Sequence, residues 1–327
     1  MPSDGSKQDR QSLSYIVRSG VAGGIAGCVA KTAVAPLDRV KILFQSSNPD
    51  FSKYTGSWSG AYKAVSQIYT ENGVRGLLQG HSATLLRIFP YAAIRFMAYD
   101  QLEPLFMPTR ESQTNVRRFT AGAISGMTSV FFTYPLELVR VRMAYATRSS
   151  SSSGPVKPPS FVSAMRQIYR EGPSLVPGTI SDRTNLFMRF PILKFYRGFT
   201  ATITGMIPYA GTSFLTWGFL RSHFLPVSPD GKRTKSTPAA DLTIGAVAGA
   251  VSQTVSYPFE VVRRRMQVGG LTSPDRWLRW GETAHKIWTA RGPRGFYVGL
   301  TIGYLKVVPM TAVSFTVWQW ARRVLDL

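Results

Sequence analysis

Small and apolar residues gather along the chain in stretches of 17 or more: Ser19 to Pro36, Arg118 to Pro135, Ile203 to Phe219, Ala239 to Pro258 and Thr301 to Trp320. That length suffices for a helix that crosses a bilayer. None of the stretches is purely apolar, because Lys31, Thr133, Gln253 and Lys306 interrupt them. Such interruptions are expected of helices around a water-filled cavity, where ionisable residues at membrane depth face inward. Glycines four apart in each first stretch (Gly20 and Gly24, Gly122 and Gly126, Gly245 and Gly249) suit close helix packing. Shorter segments, Trp58 to Tyr69, Phe161 to Tyr169 and Trp277 to Trp288, have the amphipathic pattern of surface helices.

The pattern repeats. Pro36-Leu37-Asp38-Arg39-Val40-Lys41, Pro135-Leu136-Glu137-Leu138-Val139-Arg140 and Pro258-Phe259-Glu260-Val261-Val262-Arg263 share P-x-[DE]-x-x-[KR]. A glycine follows each proline (Gly73, Gly172, Gly292), then a second glycine (Gly80, Gly198, Gly299), then a second proline 10 residues on (Pro90, Pro208, Pro309). Each unit reads as helix, short helix, helix. The expectation is an all-α membrane protein with six transmembrane helices from three pseudo-threefold repeats and short amphipathic helices between them. The chain divides into a polar N-terminus (1–12), repeats at 13–107, 116–226 and 239–325, and one joint transport domain. The glycine pairs are 7, 26 and 7 residues apart, so the middle repeat holds 19 extra residues, at about 173–191. That insert is either a tolerated loop or an intron read as coding; like the Ser149 to Ser153 run, it is expected to be disordered.

Composition narrows the function. The 327 residues carry 39 Lys and Arg against 17 Asp and Glu, a net charge of +22, which points to anionic partners. Mean hydropathy is −0.03, low for a membrane protein. A single cysteine, Cys28, and three scattered histidines (His81, His223, His285) leave neither a disulfide framework nor a metal-ligand spacing. No nucleophile and base pair suggests an enzyme, no metal or cofactor is expected, and no apolar core of a secretory signal precedes Gln11. A nucleic-acid-binding protein would gather its cations in one stripe with aromatic platforms, whereas here they recur with the repeat beside apolar stretches.

The acid and base of each motif lie three residues apart, on one face of a helix end kinked by its proline. Under threefold symmetry Asp38, Glu137 and Glu260 can pair with Lys41, Arg140 and Arg263 of neighbouring repeats; solvated pairs within each helix are the plainer alternative. Three residues before each second proline stand Arg87, Gly205 and Lys306. Unlike residues at equivalent positions point to an asymmetric ligand, at a level where repeat-built transporters bind substrate.

The triplicated motif, with Phe195-Tyr196-Arg197-Gly198 and the partial Phe296-Tyr297-Val298-Gly299, resembles the mitochondrial carrier family (solute carrier family 25) from about Leu13 to Val324. The Ala30-Lys31-Thr32 start and the contact set below are most similar to its coenzyme A carrier, or Graves disease carrier, group. The resemblance implies a multi-pass protein of the mitochondrial inner membrane that works as a monomer by alternating access. The charged ring becomes its matrix gate, with Gln45 and Gln267 as braces beneath it and Ala144 lacking the third. Asp100, Arg221 and Arg322 form a weak cytosolic gate, since Gly218, Gln319 and Glu103 depart from the family pattern. Gly80, Arg197, Gly198 and Gly299 match the elements that hold structural cardiolipin at helix starts.

Arg87 and Lys306 match the first and third substrate contact points, and Lys31 a further phosphate position. Gly205-Met206 matches the second contact point of carriers of adenine compounds, where a missing side chain admits a flat base, unless Gly205 merely packs. Arg95 extends the positive surface or only hydrates the cavity. The implied substrate is coenzyme A, taken up in exchange for another adenine nucleotide. The alternative is a carrier of ADP, adenosine 3′,5′-bisphosphate or another adenine nucleotide.

Overall fold

The structure, a computed structural model, describes residues 13–109, 113–147, 160–171, 190–224, 238–273 and 278–325. Trp277, the serine run and the insert from 173 to 189 lie outside the described residues. Every regular element among the described residues is helical. The first unit contains α1 (Leu13–Ala33), α2 (Ala35–Gln45), α3 (Trp58–Leu77) and α4 (His81–Phe106). The second contains α5 (Asn115–Tyr145), α6 (Phe161–Arg170) and α7 (Phe199–Phe224), and the third α8 (Pro238–Thr272), α9 (Trp280–Arg291), α10 (Leu300–Leu305) and α11 (Val307–Val324).

The long helices pack in a closed cycle: α4 lies along α5, α7 along α8, and α11 returns to α1. Three small cores pin the short helices to it. In the first, Val40, Leu43 and Phe44 of α2 meet Ala61, Ala64 and Ile68 of α3, together with Ile302 from the third unit. Leu138, Val139 and Met143 meet Ala164 and Ile168 of α6 with Ala83 from the first unit. Val261, Val262 and Met266 meet Ile287 of α9 with Ala201 from the second. Each core is therefore closed by the preceding unit, and each large aliphatic buried there contributes about 1.5–3 kcal/mol.

Polarity is turned inside out. Phe89 (81% exposed), Leu215 (71%) and Val308 (72%) face outward, while Ser129, Thr133, Glu137 and Gln267 are buried. Outward apolar surface on this scale marks contact with something other than water.

One expectation needs correction. Only Pro36 interrupts its helix, with 58° between the α1 and α2 axes, whereas Pro135 and Pro258 stay inside continuous α5 and α8. Tyr134 and Tyr257 precede those two prolines, and their hydroxyls donate to the carbonyls of Arg197 (2.8 Å) and Val298 (3.0 Å). Ala35, at the equivalent place, has no such anchor. Among the described residues the run Trp280–Val324, and the bent pair α1 with α2, are long and apolar enough to cross a membrane. Helices α5 and α8 spend residues such as Ser129, Thr133 and Ser252 on the interior of the cycle.

Candidate functional site: a ring of charge at the proline-bearing helix ends

At the end of the cycle where α2, α5 and α8 converge, the three acids meet the bases of the next unit. Arg140 Nη2 is 3.0 Å from Asp38 Oδ2, Lys41 Nζ is 2.8 Å from Glu260 Oε1, and Arg263 pairs with Glu137. All three links run between units, so the intrahelical alternative fails. Spacing of three explains this: acid and base leave one helix face in directions that favour different neighbours.

The ring is not symmetric. Glu137, with a 2% exposed side chain, also receives Arg264 Nη1 and Arg87 Nη1, both at 3.1 Å. Asp38 also receives Lys306 Nζ at 2.7 Å. Arg87 is further held by Thr133, whose Oγ1 accepts from Nε at 3.4 Å, and by the Tyr91 ring, 5.2 Å from the guanidinium carbon. The two expected contact cations therefore rest on ring carboxylates rather than reaching freely into the cavity, because a long side chain spans the intervening turn toward the nearest unscreened acid. Lys31 donates to the Met310 sulfur at 3.5 Å and lies in the field of Asp38, Lys306, Arg140 and Arg87. Seven cationic side chains (Lys31, Lys41, Arg87, Arg140, Arg263, Arg264, Lys306) thus converge on three carboxylates. A site with that excess attracts a polyanion.

Gly205 is packed: a Cβ there would lie 2.8 Å from Cβ of Phe259, so α8 occupies the space that a base would need. Met206 reaches α5, its Cε 3.7 Å from a Cβ built on Gly126. Arg95 is exposed on α4.

Beneath the ring, Gln267 accepts from Arg264 at 2.9 Å and donates to Tyr134 Oη at 3.1 Å. Gln45 is fully buried, 3.7 Å by its Cγ from a Cβ built on Gly299. Gly80, Gly198 and Gly299 have φ of +85°, +81° and +85°, a left-handed conformation that favours glycine. Each also packs on the next unit: a Cβ at Gly80 would be 2.8 Å from the Arg140 carbonyl, one at Gly198 3.2 Å from that of Arg263, and one at Gly299 3.7 Å from Gln45 Cγ. The Arg197 side chain turns toward Glu171, with 3.9 Å from Nε to Oε2. Burial pushes its guanidinium down to about 10, Glu171 opposing the shift.

At the opposite end Arg221 and Arg322 lie over rings of their own helices, 4.7 Å from Trp217 and 4.8 Å from Trp318. Among the described residues, no ion pair joins Asp100 to either.

Sequence reasoning missed Arg264, Arg39, and the buried pair of Arg142 with Glu171, where Nη1 is 2.6 Å from Oε1. The Arg263-Arg264-Arg265 run and the tyrosines before Pro135 and Pro258 were the available signals.

A cyclic array of three such units around a charged ring is the architecture of a repeat-built carrier, and the sequence profile described as mitochondrial carrier protein matches residues 12–110, 111–175 and 234–326. The chain belongs to the mitochondrial carrier family, whose members are transporters, and is a multi-pass protein of the mitochondrial inner membrane. It is similar to a mitochondrial carrier protein of Saccharomyces cerevisiae (46% identical, over 95% of this chain and 91% of that one). Human solute carrier family 25 member 16 is 39% identical, over 96% and 90%. The mitochondrial coenzyme A transporter of Xenopus tropicalis is 37% identical, over 98% and 89%. The second profile match stops at residue 175, close to where the extra residues begin.

Proposed function

We propose that this carrier moves coenzyme A across the inner membrane by alternating access, in exchange for another adenine nucleotide. The observation that carries the reading is the convergence of Arg87, Lys306 and Lys31 on a ring whose cations outnumber its acids. The similarity to the Xenopus coenzyme A transporter supports the choice among phosphorylated substrates. In this reading the three units each contribute two spans, six in all, and the described state has its matrix gate closed by the ring and its cytosolic end open. Arg87, Lys306 and Lys31 take the phosphates. For Gly205-Met206 to receive the adenine, Phe259 must move away, which ties base binding to movement of α8 against α7. Gln45 and Gln267 brace the gate, cardiolipin seats at Gly80, Gly198 and Gly299, and the protein acts as a monomer. Binding drives the cycle by stabilising the occluded state more than either open state.

The test is uptake of radiolabelled coenzyme A, ADP and adenosine 3′,5′-bisphosphate into cardiolipin-containing liposomes preloaded with each in turn. Coenzyme A uptake that is lost in Arg87→Ala and Lys306→Ala, with both variants folded, is the expected result. ADP uptake without coenzyme A uptake would refute the substrate, and undiminished uptake by both variants would refute the site.

A further inference from the structure

The brace position beneath the pair of Asp38 with Arg140 holds Ala144, yet this interface is not left open. The carboxyl end of α5 is held there by three side chains of the first unit. Gln79 Nε2 donates to the carbonyls of Met143 (2.8 Å) and Ala146 (3.2 Å). Arg39 donates from Nε to Ala144 O at 3.2 Å and from Nη2 to Ala146 O at 3.1 Å, and its Nη1 bonds to Gly76 O near the end of α3. Asn48 Nδ2 donates to Tyr145 O at 3.2 Å. The last carbonyls of a helix have no partner within it, and cationic donors suit its negative end. Here donors from another unit supply what the helix lacks.

Among the described residues, no other interface has this arrangement. Arg39, three residues after Pro36, corresponds to Leu138 and Val261; Gln79, before the second glycine, corresponds to Arg197 and Val298. The substitutions occur where the glutamine brace is missing. Arg39 is 2% exposed, so these bonds form away from water.

We infer that the clasp of Arg39, Gln79 and Asn48 on the end of α5 replaces the absent brace and sets how readily the interface between the first and second units parts. The inference rests on the alternating-access reading, because parting matters only if that end opens. These are positioning residues, acting on Asp38 and Arg140 through the helix ends that carry them.

The experiment is a spin-label distance measurement on the protein in lipid nanodiscs, with labels at Ser66→Cys on α3 and Ser163→Cys on α6, both exposed, in a Cys28→Ser background. The double variant Gln79→Ala with Asn48→Ala should raise the wide-distance population about tenfold, the equivalent of one to two net hydrogen bonds. Ala144→Gln on that background should restore the wild-type distribution. Arg39→Leu, matching the second unit's residue, should act in the same direction; should it fail to fold, the double variant carries the test. A lower melting temperature with no change in the distances, or no rescue by Ala144→Gln, overturns the clasp. Two wild-type populations that the variants leave unmoved overturn the clasp alone. One population in every protein, with or without coenzyme A, overturns alternating access with it.

Discussion

Replacing Glu137 with glutamine leaves Arg87, Arg263 and Arg264 facing one another with no carboxylate between them. Removing one partner of a buried ion pair costs about 3–5 kcal/mol, because the remaining charge stays buried without compensation. Glu137, 2% exposed and shared by three cations, belongs at the upper end of that range. Glu260 is 26% exposed and holds a single cation, Lys41, which is itself buried, so Glu260→Gln should cost about the lower end of that range. Asp38, 11% exposed and shared by Arg140 and Lys306, should fall between. Thermal unfolding of the purified protein, followed by reaction of a thiol dye with Cys28, the single cysteine, reads the order directly. Arg264→Met added to Glu137→Gln should recover part of the loss, since it removes one of the mutually repelling cations. Equal losses at the three acids, or the largest at Glu260, would refute the claim that the ring is asymmetric.

Gly80→Ala should cost more than Gly73→Ala. Both sites have positive φ, about 1–3 kcal/mol of strain for alanine, but only at Gly80 does a carbonyl stand 2.8 Å from the new Cβ. Equal melting temperatures of the two variants would contradict this. Gly270→Ala should destabilise more than Gly269→Ala, again by thermal unfolding. Its Cβ would fall inside contact distance of Glu171 and Arg142, whose pair is buried, whereas at Gly269 it meets only the movable end of Leu278. Gly205→Ala should slow exchange in the liposome assay even with a substrate that lacks adenine, because the methyl group strikes Phe259 whatever is bound; an effect confined to adenine compounds would favour the base-contact reading alone.

The ring was legible because its parts recur: proline, acid and base return three times at fixed spacing, and symmetry then dictates who meets whom. The same logic hid the residues that break the repeat. Arg264 and Arg39 have no counterparts to mark them, and what they bind, Glu137 and the last carbonyls of α5, becomes adjacent only once the units are assembled. Arg87 and Lys306 were found from their offset to the second prolines, but their engagement with ring acids depends on side-chain reach, which spacing along the backbone does not encode. Gly205 is a different case. A glycine gives the same signal whether it admits a ligand or a neighbouring helix, and Phe259 became visible as its neighbour only in three dimensions.

Three kinds of contact between successive units, the left-handed glycine on the next helix, an apolar residue in the next core and the motif acid on the next motif base, each run in one rotational direction and close on themselves. A loop of links has no terminus at which to stop. Two units would leave one glycine face and one set of charges bare, and a fourth would find no vacant partner. The geometry of the joints in this chain is therefore satisfied by three units.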